Sequence, residues 1–231
     1  MRTVTYTLAH ALALLAPALP QGGMPAQRPP QIRVRSAQLN VLRGQPATVT
    51  GTLGEAGAGD AVSLQERIGG RWRTRALTTA GVHGRFALAF RPQALGSAAV
   101  RLRATGDGSV AAFPPPGCLE ACTQAAQAAR LWLRARARPL GTLNVFRAVV
   151  ASWYSSGGTT ACGIYLTAAT LGVANRTLPC GTIVTLRYGA RSLRVPVIDR
   201  GPFVEGREYD LTEATKQALG FPSLGVVWST Y

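Results

Sequence analysis

Short runs in which apolar and polar residues alternate, each ended by glycine or proline, constrain the fold of this chain most strongly. Residues 86–90 and 100–104 are the clearest of these runs. A period of two is typical of half-buried β-strands. The pair Gly69-Gly70 between two such runs is a hairpin signal. Residues 31–112 therefore predict an antiparallel, immunoglobulin-like β-sandwich.

The last third of the chain predicts a second β unit. Residues 182–187 and 192–198 alternate like two strands around a turn at 188–190. Asp210 followed by Glu213 is typical of the start of a short helix, with Asp210 as its N-cap, and Gly220 is expected to end that helix. A last strand is expected at 226–228. Many short strands in under a hundred residues predict a compact barrel over residues 142–231.

A Pro-rich break separates the two units. Residues 114–117 read Pro-Pro-Pro-Gly, and residues 119–138 are rich in alanine, with Glu120 near their start and arginines near their end. That polarity suits a helix macrodipole. We interpret residues 113–141 as a helical linker packed on a neighbouring domain; contact with a membrane surface is the alternative. The chain as a whole is expected to be all-β.

The N-terminus predicts export. A short basic start is followed by an apolar stretch at 4–19 and then by small residues. This is the layout of a signal peptide, here residues 1–26, whereas a buried N-terminal helix is the alternative. No cysteine precedes Cys118, so no lipid-attachment cysteine is expected. The mature protein is predicted to be secreted and associated with the cell wall, without stable membrane insertion.

The formal net charge is +15, from 25 lysines and arginines against 10 acidic residues. Such a charge favours polyanionic partners, namely nucleic acid, anionic lipid or acidic wall polymers. Export argues against nucleic acid. Because the basic residues are spread along the chain, adhesion to the wall is the expected role of this charge. No protein partner of the sandwich can be named from the sequence.

Four cysteines in an exported chain are expected to be oxidised, and four cysteines allow three pairings. We favour Cys162–Cys180, which closes a moderate loop and stabilises a small barrel. Cys118 and Cys122 can pair only if the local backbone permits. A metal site is the competing interpretation, but the mature chain has a single histidine, His83, far from these cysteines in sequence. Neither a metal nor a cofactor is predicted.

The residue types that are absent from the last third of the chain limit the catalytic chemistry possible there. Because no histidine follows Ala151, a Ser-His-Asp triad, a Cys-His pair and a histidine zinc site are excluded there. An enzyme must then use carboxylates, and carboxylate chemistry on exported polymers most often means glycosidic bonds. The acids of this region are Asp199, Glu205, Glu208, Asp210 and Glu213.

Asp199 is the first candidate among these acids. It ends an apolar strand, and apolar neighbours favour the protonated form that a general acid needs. The alternative is that it pairs with Arg200 or caps the following turn. Asp210 is the second candidate, and an N-cap is its simplest role. Trp153 and Tyr154 can stack on sugar rings or pack as partly buried core residues. The three glutamates are interpreted as solvated surface charges.

Six sequence blocks in this region occur in an order and spacing that resemble the rare-lipoprotein-A (RlpA) family of double-psi β-barrels, in a cysteine-bearing variant of the actinobacterial type. The blocks are Ala151-Ser152-Trp153-Tyr154, Thr160-Ala161-Cys162-Gly163, Leu171-Gly172-Val173-Ala174-Asn175, Thr177-Leu178-Pro179-Cys180-Gly181-Thr182, Val197-Ile198-Asp199-Arg200-Gly201-Pro202-Phe203 and Gly206-Arg207-Glu208-Tyr209-Asp210-Leu211-Thr212.

The resemblance implies a six-stranded barrel with a saccharide groove and, in some members, lytic transglycosylase activity on peptidoglycan. Asp199 and Asp210 match the family's aspartates and are the implied catalytic residues. Two positions depart from the family pattern: Ile164 stands where many members carry a second acid, and Asn175 stands where a histidine is frequent. The candidate substrate-binding residues, all within the matching blocks, are Trp153, Tyr154, Thr160, Asn175 and Arg200.

Three functions from different classes follow. The first is an enzyme that cleaves peptidoglycan glycan strands to 1,6-anhydro-muramyl ends, with Asp199 as acid and base. The second is a non-catalytic, expansin-like module that binds or loosens wall polysaccharide, which Ile164 favours. The third is a secreted adaptor whose barrel is only structural. The sequence places the first slightly ahead.

Overall fold

The computed structural model describes residues 31–54, 58–105, 137–155 and 157–231. The predicted signal peptide, Cys118, Cys122 and residues 113–136 of the predicted linker lie outside these residues. None of the helices in the described part of the chain has the length and apolar character needed to span a bilayer.

The described residues form fifteen strands, one α-helix (α1) and one 3-10 turn. Their bounds, in chain order, are β1 Arg33–Gln38, β2 Asn40–Leu42, β3 Ala47–Thr52, β4 Ala61–Ile68, β5 Arg71–Thr79, the 3-10 turn Val82–Gly84, β6 Arg85–Phe90, β7 Gly96–Thr105, β8 Ala137–Tyr154, β9 Gly158–Thr159, β10 Tyr165–Leu166, β11 Val173–Ala174, β12 Ile183–Tyr188, β13 Arg191–Asp199, β14 Tyr209–Thr212, α1 Glu213–Leu219 and β15 Gly225–Ser229.

The N-terminal unit consists of two sheets around one apolar core. The first sheet has the order β1-β3-β6, and the second has the order β5-β4-β7-β8, with β2 paired in parallel on β8. The alternation seen in the sequence is confirmed, because Phe86 and Leu88 are buried in the core together with Val100 and Leu102. The Gly-Gly hairpin signal is also confirmed, since Ile68 of β4 lies opposite Arg71 of β5.

The C-terminal unit is a closed six-stranded barrel. Its strands follow the order β14-β11-β13-β12-β15-β8, and pairing of β14 with β8 closes the ring. The interior is filled by side chains from every strand, including Val173, Val197 and Leu211, each with no exposed surface. Burying one such side chain stabilises the fold by about 1.5–3 kcal/mol. The predicted all-β class and six-stranded barrel are confirmed.

Strand β8 connects the two units without a break. Its residues 137–145 pair with β7 of the sandwich, and residues 147–151 pair with β15 of the barrel. The predicted linker extended to residue 141, and here the structure differs, because residues 137–141 are strand. Alanine and arginine favour helices, but pairing with a neighbouring strand overrides such a weak local preference.

The helix start differs from the sequence prediction. Asp210 lies inside β14, and the N-cap is Thr212, whose side-chain oxygen accepts the Thr215 backbone N–H at 3.3 Å. The prediction of Asp210 as N-cap was wrong, because strand pairing keeps the chain extended for two more residues. The end of α1 was predicted correctly, since Gly220 adopts a left-handed conformation with φ of 66°.

Candidate active site

Strand register brings the two candidate aspartates to one part of the barrel. Ala174 of β11 lies opposite Asp199 of β13 on one side and opposite Asp210 of β14 on the other. Asp210 in turn lies opposite Ser152 of β8. Neighbouring strands are about 4.8 Å apart, so the two aspartate Cα atoms are roughly 10 Å apart. The β11–β13 register is irregular between Val173 and Ala174, but the charges of both aspartates act on the Tyr154 hydroxyl, so the two carboxylates lie on the same side of the barrel.

The loops hold one oxygen of Asp199. Its Oδ1 accepts the backbone N–H of Ala161 at 2.9 Å and that of Arg200 at 2.8 Å. The Tyr154 hydroxyl is a further neighbour of this carboxylate. The ion pair with Arg200 that the sequence left open is not formed. The Arg200 guanidinium donates instead to the carbonyls of Leu178 at 2.9 Å and Asn175 at 3.2 Å.

Tyr154 lies beside these carboxylates. Its buried hydroxyl faces the Asp199 carboxylate, although no described residue lies within ideal hydrogen-bond geometry of it. Burial raises the pKa of the phenol, and the charge of Asp199, a hydrogen-bond interaction with that carboxylate and the charge of Asp210 raise it further. The hydroxyl therefore stays protonated around neutral pH and can donate a hydrogen bond at the site.

Asp210 is held by a polar pair on the neighbouring strand and loop. The Ser152 hydroxyl donates to Asp210 Oδ1, and the Arg207 guanidinium donates to Ser152 Oγ at 3.3 Å. The sequence gave no signal for this arrangement, because Ser152 and Asp210 meet only through the parallel pairing of β8 with β14.

The cysteine bridge fixes the loop that contacts Asp199. Cys162 and Cys180 form a disulfide with Cα atoms 5.7 Å apart, so the favoured pairing is confirmed. The bridge ties residues 160–164 to the loop that follows Leu178. Thr160 closes this turn, since its Oγ1 accepts the Ile164 N–H at 3.1 Å. Thr160 thus positions the backbone that supplies the Ala161 N–H.

The five predicted substrate-binding residues differ in what they contact. The Asn175 side chain is buried and committed to backbone, accepting the N–H groups of Thr177 and Leu178 and donating to the Glu208 carbonyl. Asn175, Arg200 and Thr160 therefore organise loops in this structure. The Lys216 ammonium lies 3.7 Å from the ring centroid of Trp153, in a cation–π contact. Of the five, Tyr154 has the side chain whose polar group faces the Asp199 carboxylate.

A small pocket of about 90 Å³ opens beside Tyr154. Ser155, Leu166, Thr167 and Glu213 contribute to its walls. From the sequence, Glu213 was interpreted as a solvated surface charge. That interpretation missed its position in the wall of this pocket. No local signal could have shown it, because docking of α1 against the barrel brings Glu213 there.

The barrel region is similar in sequence to a known protein family. Residues 147–231 match the family model described as lytic transglycolase, a double-psi β-barrel family. The barrel belongs to the RlpA-like double-psi β-barrel family. Ile164, whose backbone N–H is bound by Thr160 in the turn next to Ala161, is 43% exposed.

Two curated relatives of this family share the region. A probable endolytic peptidoglycan transglycosylase RlpA of Synechocystis sp. is 40% identical over 91 residues, which are 37% of this chain and 28% of the relative. A protein of the same name from Aquifex aeolicus is 39% identical over 82 residues, which are 33% of this chain and 36% of the relative. The chain thus spans about a third of the length of these relatives.

Among solved structures, the Streptomyces papain inhibitor is similar to part of the chain. It is 27% identical with a TM-score of 0.32, and the match covers 36% of this chain and 91% of that structure.

Proposed function

We propose that the protein is exported and cleaves the glycan strands of peptidoglycan as a lytic transglycosylase, with Asp199 as the catalytic acid and then the base. The observation that carries the proposal is the geometry of Asp199. Two backbone N–H groups hold one of its oxygens, and a buried phenol and a second aspartate stand on the same side of the barrel. The names of the two RlpA relatives support the same reaction.

In the first step, protonated Asp199 donates its proton to the glycosidic oxygen. The bond from this oxygen to the anomeric carbon breaks, and the released sugar leaves with a free hydroxyl. Positive charge develops on the ring, and the Asp210 carboxylate stabilises it electrostatically. The Ser152 hydroxyl keeps that carboxylate oriented.

In the second step, the muramyl 6-hydroxyl attacks the anomeric carbon and loses its proton to the Asp199 carboxylate. A 1,6-anhydro ring forms, no water is consumed, and Asp199 is again protonated for the next cycle. One carboxyl group therefore serves both steps, which accommodates Ile164 at the position of the family's second acid.

Tyr154 assists as a hydrogen-bond donor beside the Asp199 carboxylate. Its raised pKa keeps the proton on the phenol oxygen, so the group donates and does not act as a base around neutral pH. The pocket beside it gives a sugar substituent a place to lie.

The second candidate function is a non-catalytic module that binds or loosens wall polysaccharide. The exposed Ile164 favours it, because an apolar side chain in place of an acid removes a proton donor and suits the apolar face of a sugar.

The deciding experiment is mass spectrometry of muropeptides from purified peptidoglycan incubated with the oxidised mature protein. We expect the unmodified protein to release new 1,6-anhydro-muramyl ends. Asp199→Asn should release them at least about a hundredfold more slowly. Glu205→Gln removes an exposed acid other than Asp199 and Asp210 and should leave the rate unchanged. If none of the three proteins releases products while all three sediment with the wall, the enzyme proposal fails and the binding module replaces it.

A further inference from the structure

The sandwich carries an excess of positive charge that the barrel chemistry does not use. Residues 31–105 contain eleven arginines and three acidic residues. Arg101 and Arg103 alternate along β7, so they share one face of the sheet. Gln65 of β4 lies directly opposite Arg101. We call Gln65, Trp72, Arg101 and Arg103 the Arg101 patch.

Arg101 is held in a fixed orientation within this patch. Its Nε donates to Gln65 Oε1 at 2.8 Å, and Gln65 is only 7% exposed. Its guanidinium lies 4.2 Å from the ring centroid of Trp72. These contacts use the Nε atom and one face of the guanidinium, while Nη1 and Nη2 donate to no described residue. A stacked guanidinium whose two Nη groups are available is preorganised to bind a planar carboxylate through two hydrogen bonds.

The positive charge of the patch is not neutralised by the described residues. The two ion pairs found among them join Arg75 to Glu66 and Arg147 to Glu208. Burial lowers the pKa of Arg101, and the positive charge of Arg103 lowers it further. A cation whose charge is disfavoured by burial and by a neighbouring cation gains from a bound anion.

We propose that the Arg101 patch binds an acidic polysaccharide through the carboxylates on its sugar rings. Arg101 and Arg103 are two residues apart on one strand, which separates them by about 7 Å, so they can contact different groups of one chain. Arg101 covers one face of the Trp72 ring, and the part of this half-buried ring that stays exposed beside the cations suits a sugar ring. A polymer of phosphate on a flexible polyol backbone would leave that ring unused. The sandwich would then hold the barrel on the wall.

Isothermal titration calorimetry of the full mature protein with polygalacturonate oligomers tests the site. We expect binding to weaken about tenfold in Arg101→Gln and in Arg103→Gln, since each removes charge-assisted hydrogen bonds. The matched control is Arg33→Gln, which removes the same charge from an exposed arginine of β1 in the other sheet and should change the affinity less than about twofold.

Arg101→Lys keeps the positive charge but removes the paired guanidinium donors, so we expect it to weaken binding severalfold. Circular dichroism is expected to show that this variant keeps the fold. Asp199→Asn should bind the oligomers as the unmodified protein does, which separates this site from the proposed cleavage.

Three outcomes would overturn the proposal. Unchanged binding in both Arg101→Gln and Arg103→Gln places the site elsewhere. An equal loss in Arg33→Gln shows attraction by net charge alone. Polyphosphate or single-stranded DNA of matched charge that binds as tightly as polygalacturonate contradicts recognition of an acidic polysaccharide.

Discussion

At the scale of single residues, the Tyr154 hydroxyl is the most unusual group of the barrel. A buried polar atom without a partner typically costs about 1–3 kcal/mol, so such atoms are uncommon in native proteins. Here the atom lies beside Asp199 and Asp210, whose charges hold its proton. A donor held beside these carboxylates can stabilise Asp199 in its charged form between the two steps of the proposed reaction.

Tyr154→Phe tests this role. Removing the hydroxyl should leave the free energy of unfolding unchanged or raise it by about 1 kcal/mol, because an unsatisfied buried group is lost. Cleavage of glycan strands should fall by roughly tenfold or more. Urea unfolding and muropeptide analysis give the two values. Tyr165→Phe, at a tyrosine that is 69% exposed, is the control and should change neither. A destabilised variant with full activity would contradict the role.

The same tyrosine predicts how stability depends on alkaline pH. Burial raises the pKa values of Tyr154 and Tyr209 above the ordinary value of 10. When the folded state holds a proton more tightly than the unfolded state, the stabilisation is complete below the unfolded pKa and is lost as pH rises through the folded pKa.

We therefore expect the free energy of unfolding to decline above about pH 10, and to decline less steeply in Tyr154→Phe. Urea titrations from pH 8 to pH 12, with tyrosinate absorbance followed in parallel, measure this. Identical slopes for both proteins would show that Tyr154 does not contribute.

At the scale of elements, the docking of α1 determines the geometry next to Asp199. The Thr215 hydroxyl donates to the Gly172 carbonyl and accepts the Gly172 N–H, both at 2.9 Å, and all of these groups are buried. Gly172 in turn packs against Ile198, the residue before Asp199. The helix start, the loop before β11 and the end of β13 are thus one packed unit.

Gly172→Ala should disturb this unit. The added Cβ would lie 2.5 Å from Ile198 Cδ1 and 2.6 Å from its Cγ1, so Ile198 must move. We expect a loss of stability of about 1–3 kcal/mol, together with reduced cleavage. Gly225→Ala is the matched control, because its Cβ would meet Phe221 at an ordinary 3.6 Å. Calorimetric melting measures the difference, and equal melting temperatures for the two variants would refute the packing explanation.

At the scale of the whole molecule, β8 makes the sandwich and the barrel mechanically continuous. Sandwich pairing reaches Phe146, and barrel pairing begins at Arg147. Contacts around this point join the units further: the Phe146 and Trp228 rings lie 5.9 Å apart, and the Ser97 and Thr185 hydroxyls are 3.3 Å apart. A polymer held on the sandwich would therefore be presented to the barrel from a fixed direction.

This continuity predicts one cooperative unfolding transition for both units. Inserting Gly-Ser-Gly between Phe146 and Arg147 should interrupt the strand that the two units share. Because each unit keeps its own core, we then expect two separate unfolding transitions. Differential scanning calorimetry resolves this. The same insertion in the exposed turn after Gly189 is the control and should leave a single transition. Two transitions in the unmodified protein would contradict the coupling.

The sequence alone predicted the all-β class and the Gly-Gly hairpin, favoured the Cys162–Cys180 disulfide among three pairings, and excluded histidine-based catalysis in the last third of the chain. These features depend on local alternation, on turn residues and on which side chains are present at all. The tertiary structure decided the rest. Pairing with β7 made residues 137–141 a strand, pairing of β14 moved the N-cap from Asp210 to Thr212, and docking of α1 brought Glu213 to the pocket. Arg101 meets Gln65 and Trp72 because β4, β5 and β7 lie side by side. Lateral register depends on contacts between distant segments, which no local pattern encodes.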